Sequence, residues 1–398
     1  MALTLSKKAR AVKPSSTLAI TAKAKEMKAN GIDVVGFGAG EPDFNTPENI
    51  NDAAIKALKE GFTKYTPVSG TLELRQAICE KFKYNNLNYE PSQIVVSNGG
   101  KHSLTNVFSA ILNPGDEVII PAPYWLSYPE IVKLSDGIPV FVKADKSQDY
   151  KITAKQLEEA CTDKTKAFIL NSPNNPSGMV YTKEELEALA DVIVKKDIYV
   201  VSDEMYENLI YGDEEHISIA SLNEEIYKRT ITCNGVSKSY AMTGWRIGYT
   251  GSSKEIAKIM GSVQSHQTSN PNSIAQKAAL EALVGPQDSV EAMKKEFEER
   301  RDYMAKRIRN MKHVSTVKPQ GAFYVFVDVS ETFDKSYKGQ KISNVDNLAK
   351  ILLEDFKVAV VACEDFGFDD HIRLSYAISL KHIEKGLDRI ADLLEQIS

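Results

Sequence analysis

The middle of the chain alternates two hydrophobic periods. Short runs with little polar interruption read as strands: Ile94–Ser97, Glu117–Pro121, Val140–Val142, Lys166–Asn171, Ile198–Ser202, Arg229–Asn234 and Arg246–Gly251. Stretches with helical spacing lie between them. One runs from about Lys101 to Leu112 and stops at the turn Asn113-Pro114-Gly115-Asp116. Another, Thr182–Lys195, opens with Thr182 as its cap and Glu185 three positions on, a capping box. Strands apolar on both faces, alternating with helices, predict an α/β fold with a mostly parallel sheet wrapped by helices.

After residue 287 the pattern changes. Glu291–Asn310 is a strongly charged helix whose charges form a solvated face. Strands at Ala322–Val329, Val358–Ala362 and His371–Tyr376 follow, with helices between and after them. The spacing predicts a large domain over residues 46–287 and a smaller α+β domain over 288–398. Residues 1–45 are read as an N-terminal arm that completes part of the small domain, because the chain must enter the large one from outside.

Bulk properties narrow the function. A chain of 398 residues, 42% hydrophobic, buries a large core without disulfides or metals. A formal charge of -5 and a pI of about 5.8 give no reason to expect nucleic acid or an anionic membrane as partner. The first residues lack the apolar core of a signal peptide, and no stretch approaches the roughly 18 apolar residues of a membrane span. Cys79, Cys161, Cys233 and Cys363 are scattered, as buried thiols in a reducing cytoplasm would be. The histidines show no metal-ligand spacing, so no metal is expected. No GxSxG elbow marks a serine hydrolase.

In such sheets ligands sit beyond the carboxyl ends of the strands. That rule directs attention to Gly99-Gly100-Lys101, Pro123-Tyr124-Trp125, Asn171–Pro176, Asp203-Glu204 and Gly235–Lys238. Lys238 lies among small residues, with Arg246 eight positions on. A lysine that forms a Schiff base must sit on a tight turn with its amine drawn away from water, and small neighbours permit that. A nearby arginine can grip a phosphate bidentately.

Ser237-Lys238 followed by Gly244-Trp245-Arg246-Ile247-Gly248 resembles the pyridoxal-phosphate attachment motif of class I and II aminotransferases. The resemblance spans nearly the whole chain. Gly38–Phe44, Lys64-Tyr65, Ser97–Lys101, Pro123–Trp125, Asn171–Gly178, Ser202–Tyr206 and Arg373-Leu374-Ser375 are similar to family blocks, in the family's order. It implies the fold type I architecture of pyridoxal-phosphate (PLP) transferases, with a seven-stranded sheet, and it implies roles. Lys238 carries the cofactor and moves protons. Asp203 holds the ring nitrogen protonated, so the ring can accept charge from the substrate carbanion. Asn175 and Tyr206 match the donors to the phenolic oxygen, and Trp125 the residue that stacks on the ring. The amides of Gly100 and Lys101, at a helix start, fit the phosphate, with Arg246 and the hydroxyl of Ser237. Many relatives carry a serine where this chain has Gly235, so one phosphate contact is missing. Tyr65 resembles the tyrosine that reaches the phosphate from the neighbouring subunit, which implies a homodimer with shared sites. Arg373 matches the arginine that binds the substrate α-carboxylate, helped by the backbone of Gly40.

The resemblance also suggests a substrate. The stretch Val263–Pro271 lacks the arginine with which many aspartate aminotransferases read the distal carboxylate. The chain is similar instead to a bacterial subgroup in which a lysine of the Gly-Gly-Lys turn does so, here Lys101, with Ser16, Thr17 and Asn270 able to assist. The expected reaction moves the amino group of aspartate to 2-oxoglutarate in ping-pong order. Prephenate is the nearest rival acceptor, with Lys13 as a second cation, and aromatic or alanine substrates come next. A PLP-dependent β-lyase would use the same lysine. A PLP-sensing transcription regulator would need a DNA-binding domain ahead of Gly38, where no room is left.

Overall fold

The computed structural model describes residues 4–398. Seven strands form the main sheet: β1 (Ile94–Ser97), β2 (Glu117–Ala122), β3 (Ile138–Lys143), β4 (Thr165–Asn171), β5 (Tyr199–Asp203), β6 (Thr230–Gly235) and β7 (Gly248–Gly251). Their spatial order is β1-β7-β6-β5-β4-β2-β3. Only β7 runs against its neighbours, pairing antiparallel with both β1 and β6. The central strands β4, β5 and β6 are almost wholly buried, which explains their near-continuous apolar runs. Thr182 and Glu185 form the expected capping box at the start of Lys183–Lys196.

Most strand ends shift by one or two residues from the expectation, and three departures have a structural cause. Arg246 and Ala322 were placed inside strands, but both have left-handed backbone, φ 58° and 60°. The strands therefore begin later, at Gly248 and Tyr324. The run Val358–Ala362 divides between two sheets. Val358–Ala359 pairs parallel with Val35–Gly36, while Val361–Ala362 pairs antiparallel with His371–Ser375. Apolar composition cannot show that one run serves two partners.

The second large sheet is antiparallel, in the order Val361–Ala362, His371–Ser375, Tyr324–Asp328, Ser315–Thr316. The helix Ser16–Ala29 packs Ala24 and Met27 against Val34 and Ala359. Asp288–Arg309 and Leu380–Gln396 cover the sheet with apolar stripes that include Phe297, Met304, Leu387 and Ile390. Among the described residues no helix is long and apolar enough to cross a membrane.

Candidate active site

The carboxyl ends of β4, β5 and β6 open on a cavity of about 410 Å³ that also meets the strand His371–Ser375 through Arg373. Lys238 enters it from the turn after β6. Its ammonium donates to the carbonyl of Gly40 and lies 5.6 Å from the ring centre of Phe323. Burial pushes its pKa down to about 8, against an opposing pull from Glu41.

Asp203 ends β5 and is buried. Its Oδ1 accepts from the Met205 amide at 3.2 Å, a local turn that aims the carboxylate into the cavity. Its Oδ2 accepts from the Tyr128 hydroxyl at 2.7 Å. Burial raises the pKa of this carboxyl, while the Tyr128 bond opposes the rise. One turn on, the Tyr206 hydroxyl lies 3.0 Å from that of Tyr324. Burial holds the Tyr206 phenol protonated far above its usual range.

Asn175 sits in the loop after β4. Its amide donates to Asn171 Oδ1 at 3.0 Å, and Asn171 in turn donates to the Asp203 carbonyl at 3.0 Å. That pair of bonds fixes the loop to the end of β5. Trp125 and Lys101 face each other, with the lysine nitrogen 5.1 Å from the indole centre. Burial, then the charge of Arg246, lowers the pKa of Lys101.

The helix Gly100–Ile111 starts bare. No side chain caps it, and Gly99 before it has φ 91°. A Cβ on Gly99 would stand 2.3 Å from a guanidinium nitrogen of Arg246. Free amides and a guanidinium thus share one corner, an arrangement suited to an anion. Ser237 also lines the cavity. At Gly235 a Cβ would stand 2.9 Å from the Ile247 carbonyl and 3.0 Å from Gly248. There is no room for a serine side chain without a shift of β7.

Thr17 lines the cavity from the helix Ser16–Ala29, and its hydroxyl and that of Ser16 are buried without partners. Neither Tyr65, which the resemblance assigns to the neighbouring subunit's site, nor Asn270 lines this chain's own cavity. Tyr65 is 89% exposed, and Asn270 bonds to its neighbour Pro271 at 2.6 Å. Lys13 also stays outside, 3.9 Å from Asp365. The sequence reading overlooked Tyr128 and Tyr324. Tyr128 stands one helical turn after Trp125, a spacing that could have revealed it; Tyr324 is hidden in an apolar strand.

Folding also gathers Glu204, Glu207 and His216, which are metal-capable in type and within 4.8 Å of one another. Lys81 forms an ion pair with Glu207 there, so a protein cation already fills the cluster.

Residues 32–390 match the family described as aminotransferase class I and II. An aspartate aminotransferase of Bacillus sp. (strain YM-2) is 54% identical over 387 residues, which is 97% of this chain and 98% of the relative. An aspartate/prephenate aminotransferase of Cereibacter sphaeroides is 49% identical over 382 residues, 95% of this chain and 96% of the relative. The crystal structure of the aspartate aminotransferase from Rhizobium meliloti matches with a TM-score of 0.96 and 41% identity, covering 100% of both chains. Similarity of this extent settles the family: the chain belongs to the class I and II aminotransferases.

Proposed function

We propose that this chain is a PLP-dependent aspartate aminotransferase that passes the amino group of aspartate to 2-oxoglutarate, giving oxaloacetate and glutamate. The observation that carries the reading is a pair of cavity cations, Arg373 and Lys101, that pair with no carboxylate among the described residues. A dicarboxylic amino acid has one carboxylate for each. The names of the relatives from Bacillus and Rhizobium point the same way.

The donor set suits PLP. The bare helix start at Gly100, the Lys101 amide, Arg246 and Ser237 would hold its phosphate. Asp203 would face the ring nitrogen, Asn175 and Tyr206 the phenolic oxygen, and Trp125 the ring face. PLP, when bound, supplies the ring that accepts charge from the substrate α-carbon. The rest is done by this chain. Arg373 and the Gly40 backbone hold the α-carboxylate and so fix the bond that breaks. Asp203 holds a proton at the ring nitrogen. Lys238 Nζ takes the proton from the α-carbon and returns it on the cofactor side. Trp125 excludes water from one face.

The exposure of Tyr65 and the position of Asn270 support a homodimer in which each completes the partner's site. The pairing of Val35–Gly36 with Val358–Ala359 supports domain boundaries near residues 45 and 287. Four free thiols accord with a cytoplasmic location. Prephenate is the second reading, favoured by the Cereibacter relative's name.

A half-reaction screen tests the proposal: the PLP-loaded enzyme is mixed with single amino acids and the cofactor band is followed. Aspartate and glutamate should convert it fastest. Lys101→Ala should lose the preference for aspartate over alanine by about tenfold or more, the worth of one charged contact. An unchanged preference would overturn the aspartate assignment. Release of ammonia and pyruvate in place of amino transfer would overturn the reaction class.

A further inference from the structure

Among the described residues Tyr128 is the one side chain that hydrogen-bonds the Asp203 carboxylate. It comes from the first turn of the helix Ser127–Leu134, and its amide donates to the Trp125 carbonyl at 2.9 Å. The two rings meet edge to face, 5.4 Å apart and at 89°. Tyr128 therefore joins Trp125, which would stack on the cofactor ring, to the Asp203 carboxylate. The hydroxyl is fully enclosed and burial keeps it protonated, so it is a permanent donor.

Resting on the cofactor assignment above, we propose that Tyr128 is a positioning residue that keeps Asp203 ionised and aimed at the cofactor's ring nitrogen. The physical need is direct. A carboxylate and a pyridine nitrogen share one proton, and a dry site favours the neutral arrangement, with the proton on the carboxyl group. A donor on the far oxygen stabilises the carboxylate and leaves the proton on nitrogen. Burial alone drives Asp203 the wrong way. Besides Tyr128, only the Met205 amide among the described residues donates to it, at 3.2 Å. The aryl–hydroxyl geometry leaves Tyr128 no carboxylate partner other than Asp203 among the described residues.

The test is the ring-nitrogen NMR signal of isotope-labelled PLP bound to full-length enzyme. The parent should give a protonated nitrogen. Tyr128→Phe keeps the ring and its packing, so its signal should move toward the unprotonated position. PLP affinity should fall about tenfold, the worth of one bond to a charged group. In an Asp203→Asn background Tyr128→Phe should no longer weaken PLP binding, because its route of action is gone. A purely structural role would not vanish there. Should Tyr128→Phe fail to fold, ortho-fluorotyrosine placed at 128 keeps the volume and makes the phenol a stronger donor. Its signal should then shift opposite to the loss of the bond. An unmoved signal, or an equal affinity loss in both backgrounds, overturns the proposal. Failure of the parent to bind PLP at all would instead overturn the cofactor assignment.

Discussion

Arg373 donates to the side-chain oxygen of Asn175 across 3.0 Å, joining the small antiparallel sheet to the loop after β4. Its other contacts are neutral as well. A second nitrogen reaches the Gly38 carbonyl at 3.3 Å, the rings of Tyr324 and Phe366 flank it at 4.3 and 5.2 Å, and Nε is buried without a partner. A buried cation among neutral groups is destabilising by several kcal/mol, and an arriving carboxylate relieves it. Arg373→Met should therefore separate stability from function. Calorimetry of the ligand-free protein should show an equal or higher Tm, because an apolar side chain of similar length replaces the unpaired charge. The kcat/KM for aspartate should drop at least about 100-fold, since a bidentate charged contact is lost. A lower Tm with retained turnover would contradict both halves.

Lys238 gives a pH prediction for the cofactor-free protein. Its folded pKa of about 8 lies below the ordinary lysine value. Between the two values the unfolded chain binds more protons, so stability rises with pH across that window. Below about pH 8 both states are charged, and the cost of the buried charge is then fully present. Lys238→Met should remove that cost. It should stabilise the cofactor-free protein at neutral pH by about 2 kcal/mol, allowing for solvent in the cavity. Denaturant titrations at neutral pH and near pH 10 should show the gain shrinking at the alkaline end. Capture of PLP by the parent should speed up as pH rises through about 8, where the free amine appears.

The two predictions draw on residues of unequal legibility. Lys238, Asp203 and Arg373, which folding brings into one cavity, were singled out because Lys238 follows a strand, Asp203 ends one, Arg373 interrupts one, and each lies in a block that resembles the family's. The parallel sheet was readable because β4, β5 and β6 are buried on both faces. The left-handed turns at Arg246 and Ala322 were not, since neither position is itself a glycine or asparagine, the residue types that signal such a backbone. Tyr324 was hidden because tyrosine in an apolar stretch reads as core, and only folding brings its hydroxyl to Tyr206. Tyr65 and Asn270 do not line their own chain's cavity, so the resemblance alone, and not the fold of one chain, connects them with a site.

Behind Asp203 and Tyr206 lies a buried ionic network. Glu204 accepts from Ser202 at 2.8 Å, from Ser218 at 2.6 Å and meets His216 at 3.1 Å. Glu207 pairs with Lys81 and Asn85. Burial pushes the Glu207 carboxyl up, but Lys81 and His216 outweigh it and hold it below the ordinary range. Lys81→Met should cost about 3 kcal/mol at neutral pH, because it leaves a buried carboxylate short of its cation. A depressed carboxyl stabilises the parent above its unfolded pKa and loses that stabilisation as pH falls. The gap between Lys81→Met and the parent should therefore narrow on acidification. Adding Glu207→Gln should recover most of the loss in denaturant titrations. A double variant no more stable than Lys81→Met would show that the pair is not coupled.

Gly99 is the position where a left-handed backbone and the proposed phosphate corner meet. Its φ of 91° is open to glycine and strained for any other residue, and a Cβ there would overlap Arg246 at 2.3 Å. Gly99→Ala should push the guanidinium out of the corner it shares with the free amides of Gly100 and Lys101. The fold should survive, at a cost of about 1–3 kcal/mol for the strain. The anion site should not: loss of a charged contact weakens phosphate binding about tenfold to 100-fold. Pyridoxal without its phosphate provides the control. Its binding never used that corner, so Gly99→Ala should leave it within about twofold of the parent, since no charged contact is removed from it. Equal weakening for both compounds would place the phosphate elsewhere and would remove Arg246 from the site.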